Sequence, residues 1–198
     1  WQAGFCYHPR MNALLITVFF ALGAIVASFI GVLTARLHTG QSYLVGRSKC
    51  DACGALLSPF LLIPIISYMA HGGRAHCCGA RLSFLSPLTE LLLGGLYVLA
   101  YLTLGITIAL PLLLVALALL LALVLYDLAH QILPPLLLST FVLFCTLTGF
   151  LLAPSLYAFY SSLLVAFCIA ASLALIHFLS RGRAMGFSDA PFAFGLSL

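Results

Sequence analysis

Charge is what this sequence has least of. Its 198 residues hold 8 Lys and Arg and only 4 Asp and Glu, 6% in all, where a soluble domain carries about 25%. With 64% hydrophobic residues, that scarcity excludes water as the solvent for most of the surface and places the chain in the membrane class. The sequence also has no internal repeat, and its Leu-rich tract Leu112–Leu125 is span composition, not low complexity. The basic residues fall mainly in two stretches instead of along a helix face, which speaks for membrane topology and against nucleic-acid binding. With so few acids, Asp51, Glu90, Asp127 and Asp189, each one in or near a span is a functional candidate.

What the chain has in quantity is apolar runs. Residues 1–10 precede Met11 and are set aside as an N-terminal extension. The run 11–35 is long enough to cross about 30 Å of hydrocarbon, and no A-x-A cleavage pattern ends it. Residues 36–87 form a mixed, cysteine-containing loop with five of the eight basic residues. Its apolar stretch Ala55–Ala70 is broken by Pro59 and Pro64 and suits an interfacial or re-entrant segment. Four further spans are expected at about 88–104, 106–126, 132–153 and 156–179, giving an all-α polytopic membrane protein of five to six helices. The segment 88–198 would then be the membrane domain.

Positive charge inside puts the loop on the cytoplasmic side, and successive crossings return the chain to that face at Tyr126 and at Arg181. Asp127 and Asp189 therefore fall at one membrane face, as does Glu90 at the start of the second span. An isolated aspartate at a span end is explained equally by helix capping or an interface. Two at one face suit aspartic chemistry, in which one carboxylate takes a proton from water and the other polarises the scissile carbonyl. His130 lies one turn after Asp127 and reads as structural support. A transporter would place its acids near midspan instead.

Among the seven cysteines, Cys145 and Cys168 lie inside apolar spans and behave as small hydrophobes. Cys50, Cys53, Cys77 and Cys78 sit in the basic loop, where a reducing compartment leaves metal or free thiol as the readings.

The stretch Tyr126-Asp127-Leu128-Ala129-His130-Gln131-Ile132-Leu133-Pro134 resembles the first active-site motif of the type IV prepilin leader peptidases, Asp-Leu-x-His-x-Ile-x-Pro. Gly186-Phe187-Ser188-Asp189 is similar to their second motif, Gly-x-Gly-Asp. Arg47-Ser48-Lys49-Cys50-Asp51-Ala52-Cys53-Gly54 resembles the family's cytoplasmic cysteine domain, and Pro87-Leu88-Thr89-Glu90 extends the likeness.

The resemblance implies Asp127 and Asp189 as the catalytic dyad. It also implies cleavage of the leader peptide from type IV prepilin or pseudopilin precursors of pilus and type II secretion systems, at the cytoplasmic face of the bacterial inner membrane. Glu90 is linked through it to S-adenosylmethionine-dependent N-methylation of the new N-terminus. Cys50, Cys53, Cys77 and Cys78 are linked to structural zinc, with Ala75 where the family has a cysteine. Ser188 stands where the family usually has Gly, Pro191 where it usually has Lys, and Pro135 where it often has Asp. These departures raise the alternative of a catalytically impaired homologue that binds precursors without cleaving them. The family usually continues beyond the position of Leu198, so the chain is expected to be a fragment.

Overall fold

A computed structural model describes residues 9–36, 53, 74, 77–80, 84–183 and 186–198. Cys50 and the proline-broken stretch 55–70 lie outside the described residues. The described residues form six helices: α1 (Pro9–Arg36), α2 (Leu85–Leu104), α3 (Ala109–His130), α4 (Pro135–Leu152), α5 (Leu156–Leu179) and α6 (Asp189–Leu196). The first five are long and apolar enough to cross a membrane.

Contacts divide the chain into two units, residues 1–103 and 104–198. In the first, α1 and α2 pack antiparallel. Asn12 Oδ1 accepts from the Tyr101 hydroxyl at 3.3 Å, and Phe19 stacks on Tyr101 with centroids 4.8 Å apart. Further along, a Cβ on Gly23 would come within 2.7 Å of the Leu93 carbonyl oxygen and 2.8 Å of the Gly94 Cα. Only glycine lets the two backbones approach this closely, and close approach is how apolar helices gain van der Waals contact where lipid removes the hydrophobic incentive.

In the second unit, α4 is the central element: α3 and α6 both pack along it, and α5 packs against α6. Leu123, Leu138 and Phe141 are buried, with Leu119, Leu133, Leu137, Val142, Cys145 and Phe192 packed around them. This cluster ties three helices together. By contrast, α5 buries Ala166 alone and shows Tyr157, Leu164, Phe167 and Phe178 at its surface, the pattern of a helix with lipid around it.

The helix boundaries differ from the sequence expectation at one informative place. The third span was expected to end at Tyr126, with a turn over residues 127–131. Instead α3 runs through Asp127 to His130 and stops at Gln131, which adopts the left-handed conformation (φ 54°, ψ 31°) and donates its N–H to the Asp127 carbonyl oxygen at 2.7 Å. A polar side chain in the last turn leaves the backbone hydrogen bonds intact, so polarity alone does not end a helix. Pro134, extended at φ −64° and ψ 126°, then breaks the path, and Pro135 opens α4 with its ring already at a helical φ.

Candidate active site

Asp127 is exposed in the last turn of α3. One turn behind it, Leu123 is fully buried in the cluster shared with α4, so α3 is locked against α4 just before the carboxylate. The His130 ring packs on Tyr126 with centroids 4.6 Å apart, which supports the last turn from the same helix.

Asp189 begins α6 and is half-buried. The Gly186 N–H donates to its Oδ2 at 3.0 Å, and the Asp189 N–H donates to the Gly186 carbonyl oxygen at 3.3 Å. The carboxylate is therefore clasped to the turn that precedes it, a reciprocal arrangement of the capping-box kind. Ser188 has φ −66° and ψ −18°, ordinary right-handed values that any residue adopts. Ser in place of the family's usual Gly therefore carries no backbone cost here. Pro191 lies in the first turn of α6, where no intrahelical partner for its missing N–H is needed.

The depth of Asp189 follows from how α6 lies on α4. Phe192 packs on Phe141 (centroids 5.8 Å apart), Gly195 faces Phe141 and Val142, and the Leu198 carbonyl oxygen lies over Gly149. Later residues of α6 meet later residues of α4, so the two helices run parallel. Asp189 lies six residues before Gly195, about 9 Å along the axis, which brings it level with the first turn of α4. That turn follows directly from the Gln131–Pro134 link after Asp127. Both acids therefore lie at the same end of α4, each about one turn from the cluster that contains Leu123 and Phe192.

Glu90 belongs to the other unit. It is 4% exposed in the second turn of α2, beside buried Thr89 and Pro87, and the Ser86 hydroxyl donates to its Oε1 at 3.4 Å. The cysteines form a third group. The Sγ atoms of Cys53, Cys77 and Cys78 all lie within 4.8 Å of one another, with Cys53 to Cys77 at 3.2 Å and Cys77 to Cys78 at 3.9 Å. Thiolates bound tetrahedrally to one zinc at about 2.3 Å stand about 3.8 Å apart, so this set needs little adjustment to hold an ion. The adjacent Cys77 and Cys78 both reach the cluster.

The description "Bacterial Peptidase A24 N-terminal domain" matches residues 21–104. The chain is thus similar over this stretch to the N-terminal part of the prepilin leader peptidases. It is 40% identical over 121 residues to a prepilin leader peptidase/N-methyltransferase of Myxococcus xanthus, a match covering 61% of this chain and 36% of that protein. It is 33% identical over 96 residues to the protein of the same name from Bacillus subtilis, covering 48% of this chain and 39% of the relative. A third, from Dickeya chrysanthemi, is 32% identical over 117 residues, 46% of this chain and 40% of the relative. The matches thus span well under two thirds of these relatives' length. No solved structure matches the chain. The five apolar helices, together with these relatives, support a multi-pass membrane protein.

Residue patterns alone did not point to Phe192, Gly195 or Gly149. Their roles come from contacts between segments far apart in sequence, and a glycine inside an apolar run carries no local signal of what it faces.

Proposed function

We propose that this chain carries the aspartic endopeptidase centre of a prepilin leader peptidase, with Asp127 and Asp189 as the dyad. The observation that carries the reading is the arrival of both carboxylates at one end of α4, in the two sequence contexts that resemble the family's motifs. The ionised member of the pair takes a proton from a bound water, and the resulting hydroxide attacks the scissile carbonyl carbon. The other member gives its proton to the developing oxyanion. Collapse of the tetrahedral species breaks the C–N bond as the leaving amine collects a proton, and the pair returns to its starting state.

The substrate is a type IV prepilin or pseudopilin precursor at the cytoplasmic face of the inner membrane. The exposed Arg181 and Arg183 at the end of α5 support that orientation, because short basic connections stay inside. A precursor whose apolar helix lies in the bilayer and whose leader remains inside presents its scissile bond at the depth of the two acids.

Two accessory sites belong to the same reading. Cys53, Cys77 and Cys78, with Cys50, would hold a structural zinc ion that ties the loop together. Metal content measured by mass spectrometry is expected to fall from one zinc per chain to near none in Cys53→Ser. Glu90 would serve N-methylation, since a shielded carboxylate suits the positive sulfonium of S-adenosylmethionine or the substrate ammonium. When bound, that group supplies the methyl. Glu90→Gln is expected to lose methylation while cleavage continues.

The test of the central reading is cleavage of a purified prepilin by the wild-type chain and by Asp189→Asn. Product from the first and none from the second supports the dyad. Absence of product from both, with precursor still bound, supports the impaired homologue, for which the missing positive charge at Pro191 is the favouring observation.

A further inference from the structure

The arrangement of α6 on α4 carries more than the presence of two acids. α6 is eight residues long and packs on both α5 and α4. Its contacts with α4 are specific: the Phe192 and Phe141 rings lie 5.8 Å apart, and Phe141 is 2% exposed, hemmed in by Leu123 and Leu138. A Cβ on Gly195 would sit 2.7 Å from Phe141 Cε1, closer than real Cβ atoms come, and 3.1 Å from Cδ1. On the opposing helix, a Cβ on Gly149 would sit 3.2 Å from the Leu198 carbonyl oxygen. Two glycines, one on each helix, therefore let α6 lie against α4 at a single depth, with one aromatic pair as the detent.

We infer that Gly195 and Phe192 are positioning residues for Asp189: the seat of α6 on α4 sets the height of that carboxylate relative to Asp127. The inference rests on the dyad reading above. Neither residue touches the reacting atoms. Each acts through the helix, whose first residue is Asp189 and whose contacts with Phe141 lie one to two turns later. Bulk at Gly195 pushes α6 away from Phe141 or makes it slide along α4. A displacement of about 1 Å at a paired catalytic group is enough to cost on the order of 100-fold in rate.

The experiment has an arm that does not depend on activity. With Cys145 and Cys168 replaced by Ala, the double variant Asp127→Cys, Asp189→Cys is treated in membranes with a short bifunctional maleimide, and the intramolecular crosslink is quantified by mass spectrometry. The same pair is then tested with Gly195→Leu added. The expected result is efficient crosslinking with Gly195 and roughly tenfold less with Leu, at equal helix content by circular dichroism. In the unmodified dyad, Gly195→Leu is expected to lower kcat about 100-fold with little change in KM. Gly195→Ala is expected to fall between the two.

Phe192→Leu, which keeps an apolar group over Phe141, is expected to retain most of the rate that Phe192→Ala loses. Equal crosslinking with and without Gly195→Leu overturns the seat while leaving the dyad standing. Absence of any crosslink in the parent pair overturns the dyad, and the inference with it.

Discussion

The end of α3 and the start of α6 each present one carboxylate to the same end of α4, but they are held in different ways. Asp127 lies in the last turn of a 22-residue helix whose nine buried residues fix it along its length, and a left-handed cap at Gln131 closes that turn around its carbonyl. Asp189 opens an eight-residue helix, is clasped by the Gly186 N–H, and depends on Phe192 and Gly195 for its depth. One position is inherited from a long packed element, and the other from a short seat. Damage to the two ends should therefore have different signatures even where the chemistry lost is the same.

The largest effect should be common to both. Asp127→Asn and Asp189→Asn are each expected to lower kcat for prepilin cleavage by at least about a thousandfold, and the double variant is expected to be no worse than either single one. A single variant that kept near-normal cleavage would break the pairing at once.

The next effect should separate the ends. Phe192→Ala is expected to cost about 2 kcal/mol, because it empties a site against a side chain that is 2% exposed and so poorly able to collapse. Leu128→Ala beside Asp127, at a position 66% exposed, is expected to stay within about 0.5 kcal/mol. Thermal unfolding in detergent reads both, and equal losses would remove the distinction.

A smaller effect of opposite sign is expected at the α3 cap. Gln131 pays for a φ of 54° that glycine adopts freely, so Gln131→Gly should raise stability by about 0.5 kcal/mol in the same assay. Ser188→Gly should do the least. The backbone there is already right-handed, so extra freedom gives the folded state nothing and is expected to lower stability by less than about 0.5 kcal/mol without raising cleavage. A marked rise in cleavage would show that Ser188 costs this chain something other than backbone conformation.

The five long helices were legible because an apolar run of that length has few alternatives, and the acids were legible because charge is so rare that each one stands out. Legibility failed at the polar edges of spans. Asp127 and His130 were expected to lie beyond α3 because they are polar, yet neither side chain competes with the helical hydrogen bonds, and the helix ends only at Gln131. Pro135, by contrast, marks the start of α4 through its ring geometry. The seat of α6 could not be read at all, since it joins Phe141 to Phe192 and Gly195 across an intervening helix and no periodic pattern records the meeting. The approach of Cys53 to Cys77 and Cys78 was half legible: the residue types suggested it, and the distances came only with the fold.

α4 is the common neighbour of both acid-bearing helices and, at 18 residues, the shortest of the five long ones. At 1.5 Å per residue it measures about 27 Å, slightly less than a typical hydrocarbon core. Membranes of different thickness are accommodated by tilting helices or deforming the lipid around them. Because α3 and α6 are both fastened to α4, a tilt of α4 carries the two carboxylates together, so the gap between them need not follow the thickness of the bilayer.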